Sequence, residues 1–152
     1  MKIGRLCNHD VVTVHAGEPL STAAREMCDR HVGMVVVVSD RLEERIPVGI
    51  VTDRDIVRAQ LRQASDLFCL SVAQVMSEPP LTLSENEAMT DAIERMRARG
   101  VRRAPVVDAR GSLTGVVSMD DLLGAISEQL AGLATLAASQ RRSEAVRSVS
   151  AR

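Results

Sequence analysis

Two short segments place a hydroxyl three residues ahead of a carboxylate: Thr52-Asp53-Arg54-Asp55 and Ser118-Met119-Asp120-Asp121. Each follows a Val-rich run and opens a stretch of helical periodicity, so each lies at a strand-to-helix junction. Two chemistries suit that arrangement. In the first, the hydroxyl accepts from a backbone N–H of the first turn while the carboxylate reaches back, a capping box that needs no ligand. In the second, the carboxylate, an acceptor only, faces hydroxyl donors of a bound molecule beside free N–H groups at the positive end of a helix. The two coexist if Thr52 caps while Asp55 binds. Arg54, Arg102 and Arg103 are the cations that charge-assisted contacts to an anionic ligand would use. The plainer reading of Arg102 and Arg103 is a pair of solvated side chains at a strand edge.

Other reactive groups form no constellation. His9, His15 and His31 are scattered, and His31 ends a helix, where a cation is favoured. Cys7, Cys28 and Cys69 are odd in number and lack a Cys-x-x-Cys spacing, which reads as reduced thiols in a cytoplasmic protein and against zinc. No Gly-x-x-x-x-Gly-Lys, Gly-x-Ser-x-Gly or His-Glu-x-x-His is present, and the two carboxylates hold one equivalent place each, which suits binding over acid–base work. The expectation is a protein that is not an enzyme and requires no cofactor.

The elements that position these groups occur twice. At an offset of 69 positions Thr13 falls on Thr82, Glu18 on Glu87, Met27 on Met96, Arg30 on Arg99 and Val37 on Val106. After a longer turn in the first copy, around Arg41 to Arg45, the offset becomes 66: Gly49 meets Gly115, Thr52 meets Ser118 and Asp55 meets Asp121. Such self-similarity marks an internal repeat. Each copy opens with a short strand, Val11–Val14 or Leu81–Leu83. A helix follows, with Leu20, Ala23, Ala24 and Met27, or Met89, Ala92, Ile93 and Met96, on one face. Ser84 with Glu87 reads as a capping box for the second of these helices. Two further strands, Met34–Val38 with Val48–Val51 and Ala104–Val107 with Leu113–Val117, are Val/Ile runs expected to be buried on both faces. Turns fall at Asp40 and at Asp108 to Gly111, and a second helix starts near Asp53 or Met119. The fold class is therefore α/β, two tandem mostly β-α-β-β-α units. One unit alone would bury too little surface, so the two are expected to pack around a pseudo-two-fold axis with a ligand cleft between them.

The expected boundaries are residues 1–62 for the first repeat, 63–71 for a linker, 72–126 for the second repeat and 127–138 for a C-terminal helix extension. The Ser/Arg-rich stretch 139–152 reads as a disordered tail. The stretch Leu122 to Ala138 is Ala/Leu-rich and amphipathic, suited to packing within the chain or to self-association. With 152 residues, 45% hydrophobic and a net charge of −1, the chain has neither a field that draws it to nucleic acid nor, in its first hundred residues, an apolar run that spans a bilayer. It has one Phe, no Tyr and no Trp, so the core must be aliphatic and aromatic stacking on a base is not available.

The segments Gly49 to Val57 and Gly115 to Leu123 share the pattern Gly-apolar-apolar-Thr/Ser-x-x-Asp-apolar. With Gly100-Val-Arg-Arg-Ala-Pro105-Val-Val-Asp108, they make residues 3 to 126 resemble the CBS domain in its tandem form, the Bateman module. The resemblance implies a regulatory module that binds an adenosine-containing ligand (AMP, ADP, ATP or S-adenosylmethionine) in the cleft. It implies that Asp55 and Asp121 hold ribose hydroxyls and that Thr52 and Ser118 sit near ribose or phosphate. Around the base it places Val12, Thr13, Met34 and Val35 in one copy, and Leu81, Thr82, Arg103, Ala104 and Pro105 in the other. It also implies a homodimer and an unknown regulated protein. The copies are not equivalent, since Gly33 and Met34 stand where the second has Arg102 and Arg103, so the two sites are expected to differ in affinity. The alternative function is a dimeric interaction or structural module with no physiological nucleotide.

Overall fold

The Val run Met34–Val38 becomes β2, and all five of its side chains are buried. It is the middle strand of a three-stranded sheet, parallel to β1 (Thr13–His15) and antiparallel to β3 (Pro47–Thr52). The parallel pair needs a crossover, supplied by α1 (Leu20–Asp29), whose Leu20, Ala23 and Met27 face the core as the sequence spacing requires. After β3 comes α2 (Asp53–Gln63). The second repeat copies this order in β4 (Leu83–Ser84), α3 (Met89–Arg99), β5 (Arg103–Val107) and β6 (Leu113–Ser118), followed by α4 (Met119–Ser150). This computed structural model describes residues 1–39, 44–63, 66 and 68–150, the last ten by backbone alone. Asp40 and Arg41 of the expected first turn, and positions 64, 65 and 67 of the expected linker, lie outside the described residues.

The chain forms two compact units, Met1–Ser118 and Met119–Arg152. Within the first, the repeats are tied by a reciprocal exchange of their leading segments. The 3-10 turn Ile3–Arg5 of the first repeat lies on the second, and the 3-10 turn Val72–Gln74 of the second repeat lies on the first. Ile3 N–H donates to Glu87 O at 3.0 Å, and its counterpart Val72 N–H to Glu18 O at 2.9 Å. Gly4 N–H donates to Glu85 O and Ala73 N–H to Ala16 O, both at 2.9 Å. Asn8 bridges Val116, and its counterpart Ser77 bridges Ile50. Each contact has its partner at the sequence offset of the repeat, so the unit has the expected pseudo-two-fold axis. Ile3 and Val72 are fully buried, and each anchor contributes about 1.5–3 kcal/mol. Between the sheets, Met34, Val36 and Val38 of β2 pack with Leu113 of β6. The single aromatic, Phe68, is exposed, and the core is aliphatic throughout.

Three local expectations are corrected. Ser84 and Glu87 do not cap α3: Glu87 Oε2 accepts from Ser84 N–H at 3.2 Å in the turn ahead of the helix. The helix itself starts at Met89, with Ala88 as an N-cap that makes no side-chain bond. Glu18 does the same to His15 N–H in the first repeat, so the pattern marks the strand-to-helix turn. Second, β3 and β6 alternate buried and half-buried residues, because one face of each strand is less fully covered than the other. Third, helical backbone continues through Ser150 over the stretch that composition reads as a tail. In the second unit, Leu122 and Ala125 of α4 are buried while Leu123, Leu130, Leu133 and Leu136 are exposed. By length and composition alone its span Met119–Gln140 suffices to cross a membrane.

Glycines at 49 and 115 meet the exchanged segments. A Cβ on Gly115 would lie 2.6 Å from Cys7 Sγ and 2.9 Å from Asn8 O; one on Gly49 would lie 2.7 Å from Met76 Sδ. Gly115→Ala must push back a backbone carbonyl and should destabilise by about 1–3 kcal/mol. Gly49→Ala should lose less, because a thioether gives way more easily; thermal melts of the two variants check the order. His31 follows α1 with φ 53°, where the second repeat has Gly100 at φ 64°. His31→Gly should therefore stabilise by up to about 1 kcal/mol, read as a raised melting temperature. Asp108 closes the β5–β6 turn. The Ser112 N–H holds its carboxyl below the ordinary 3.8; burial opposes this, and the N–H and charge of Arg110 add smaller lowering effects. A carboxyl lowered on folding adds stability above its unfolded pKa and loses it as pH falls through the folded value. Asp108→Asn should flatten the acid side of the stability curve below about pH 4, measured by urea unfolding at several pH values.

Candidate functional site

Thr52 ends β3 opposite Met34, the first residue of β2, and Asp53 N–H donates to Gly33 O at 3.2 Å. Val36 N–H donates to Val12 O at 3.1 Å, so the approach to β1 reaches the same end of the sheet. Val12, Thr13, Met34 and Thr52 are thus gathered where two strands begin and α2 starts. The antiparallel return of β3 produces this gathering.

At the α2 junction both sequence readings are visible in one geometry. Thr52 Oγ1 donates to Asp55 Oδ2 at 2.6 Å, Thr52 N–H donates to the same oxygen at 3.0 Å, and Asp55 N–H donates to Thr52 Oγ1 at 3.2 Å. This is a closed capping box. It uses one carboxylate oxygen only. Among the described residues nothing donates to Asp55 Oδ1, and Asp55 is half-buried. The cap therefore fixes the carboxylate and leaves a second acceptor oxygen, with its two lone pairs, for hydroxyl donors.

Arg103 of the second repeat reaches this end of the first. A Cβ on Gly33 would lie 3.2 Å from Asp53 Oδ2 and 3.4 Å from Arg103 Nη1. In the sequence Gly33 stands only where the second repeat has an arginine; in the fold its lack of a side chain provides space. Asp53 was not among the expected site residues, and only the meeting of the repeats brings it near Arg103. Arg54 is exposed on the first turn of α2, and its N–H donates to Asp53 Oδ1 at 2.7 Å. Arg102 is exposed just before β5.

Several expected base contacts are restricted. Val35, Ala104 and Pro105 are buried, so they offer a ligand backbone groups and not side chains. Thr13 Oγ1 accepts from Arg45 Nη2 at 3.2 Å, and Thr82 O accepts from Arg95 Nη2 at 2.9 Å. Local spacing gives no sign of either arginine, because each is distant along the chain, Arg45 in the stretch ahead of β3 and Arg95 in α3. Leu81 and Thr82 are half-buried ahead of β4; in the first repeat Val12, ahead of β1, and Thr13, its first residue, are half-buried too. Ser118 ends β6 opposite Arg103, and Asp121 is exposed on the first turn of α4. Among the described residues no three His, Cys, Asp or Glu side chains gather as metal ligands.

Comparison with known proteins agrees with this architecture. The CBS domain family model matches residues 3–62 and 72–128. The protein MK0525 of Methanopyrus kandleri is 34% identical over 126 residues, which are 81% of this chain but only 61% of that relative's length. The CBS domain-containing protein YhcV of Bacillus subtilis is 33% identical over 82% of this chain and 85% of its own. The CBS domain protein PAE2072 of Pyrobaculum aerophilum, solved in complex with AMP, superposes with a TM-score of 0.72. It covers 80% of this chain and 89% of its own, at 26% identity. Two matched copies, the repeated strand-to-helix motif and the pseudo-two-fold exchange lead to one assignment: the chain belongs to the CBS domain family and carries the domain as a tandem pair.

Proposed function

We propose that this CBS pair is a non-catalytic regulatory module that binds an adenosine-containing ligand (AMP, ADP, ATP or S-adenosylmethionine). The observation that carries the reading is the half-used carboxylate of Asp55. Its Oδ2 is locked by the helix cap and its Oδ1 is left as an acceptor at a strand end. A vicinal diol fits such an oxygen. Asp121 has the same role in the second repeat by the sequence correspondence. Arg103 and Arg54, with the α2 N-terminus, supply positive potential for a phosphate. Support also comes from PAE2072, which was solved with AMP. Regulation requires that the ligand bind one conformational or assembly state more tightly than another. Because Gly33 and Met34 replace the arginine pair in the first repeat, the two sites have unequal affinities. The second reading, a partner-binding module without nucleotide, is favoured by the exposed leucines of α4.

Calorimetric titration with each of the four ligands tests the proposal. Saturable binding of one of them is expected, with two unequal steps; two equal steps would remove the inequality of the sites. Asp55→Asn should keep the capping geometry yet weaken binding, and Asp55→Ala with Asp121→Ala should abolish it. A ligand at 100 times its dissociation constant should stabilise the unit by about 2.7 kcal/mol, visible as a dye-detected melt. Absence of binding by all four would leave the Thr52 and Asp55 pair as a helix cap and favour the second reading.

A further inference from the structure

We infer that α4 pairs antiparallel with α4 of a second copy of this chain, through a seam that lies mostly beyond the CBS repeats. Leu123, Ile126, Leu130, Leu133 and Ala137 follow one another at alternating spacings of three and four residues, the pattern of a coiled-coil seam. The flanking face is polar at every turn: Asp121, Glu128 and Thr135 occupy the outermost heptad position, and position 142 continues it with arginine. The seam is open at its leucines, while Ile126 and Ala137 are half-buried. Leu123, Leu130 and Leu133 are 52%, 61% and 63% exposed, and Leu136 beside them is 58% exposed. A row of leucines this open is unusual on a monomer.

Charge selects the occupant and its direction. The helix begins with Asp120 and Asp121, and the sequence at 141 and 142 is Arg-Arg. A two-fold axis between Leu130 of one copy and Leu133 of the other also sets Ile126 against Ala137 and Leu123 against Gln140. In that register Asp120 and Arg141 hold the same heptad position on opposing helices. Each acidic start then meets a basic end, twice by symmetry. Parallel pairing would set acid beside acid. A lipid bilayer would have to accept Glu128 and Gln129 near the middle of the apolar stretch.

Sedimentation velocity of the full chain over a range of concentrations tests this. The expected result is a dimer, converted to a monomer by Leu130→Glu with Leu133→Glu while the melt of the repeats is retained. Asp120→Arg alone should weaken self-association several-fold, and Asp120→Arg with Arg141→Asp should restore it. Within one helix the two positions are about 30 Å apart, too far for the rescue to be internal. A monomeric wild type, a dimer that survives the leucine substitutions, or failure of the double charge swap to restore pairing would each overturn the inference. So would cosedimentation of monomer with phosphatidylcholine–phosphatidylglycerol vesicles that the leucine substitutions abolish.

Discussion

The exchange of leading segments between the two repeats is the constraint on which the rest of the first unit depends. Residues 3–8 lie on the second repeat and residues 72–77 on the first, each held by backbone hydrogen bonds and one fully buried side chain. Neither sheet is complete without the other repeat's segment, so neither repeat has a finished core of its own. The same exchange accounts for a glycine in each motif. Gly49 and Gly115 stand where the exchanged segment crosses β3 and β6, and no Cβ fits there without displacement. Two residues after each glycine the strand is still buried, and one residue later it presents the hydroxyl. A packing requirement and a candidate binding group thus share one short strand.

Symmetry in the fold and asymmetry in the site follow from different parts of the chain. Backbone contacts are repeated pair by pair, since they depend on segment spacing and on a few small or buried residues. Side chains at the strand ends depart from that symmetry. Gly33 leaves room into which Arg103 comes, while its counterpart is Arg102. The repeats can therefore share a framework and still present different charges to a ligand. The capping box at Thr52 and Asp55 illustrates the economy of the arrangement, because one carboxylate oxygen organises the helix start and the other faces outward from that bond.

α4 combines two kinds of residue pattern in one element. Its first turn carries the acidic residues of the second motif, and its continuation carries an exposed leucine seam. An assembly through that seam would begin within a few residues of Asp121. Ligand and assembly would then act on the same helix, which is the physical basis on which a binding event and a change of partner could be linked.

Much of this was legible in the sequence, because it depends on spacing along the chain. The repeat, β2, the buried faces of α1 and α3, the helix starts at Asp53 and Met119 and the motif residues all follow from hydrophobic periodicity and self-similarity. What remained hidden depends on contacts between distant residues. That Ser84 and Glu87 close a turn instead of capping α3 depends on where the helix begins, which is two residues after Glu87. That Val35, Ala104 and Pro105 present only backbone is decided by packing on both faces of the central strands. Arg45 at Thr13, Arg95 at Thr82, and Asp53 beside Arg103 are brought together by long-range folding, for which one sequence gives no signal. The sequence by itself determined which residues could cap, bind or pack, since those capacities belong to residue type and local spacing. Only the tertiary structure decided which of them meet, since the reciprocal exchange brings the two halves of the chain to one place.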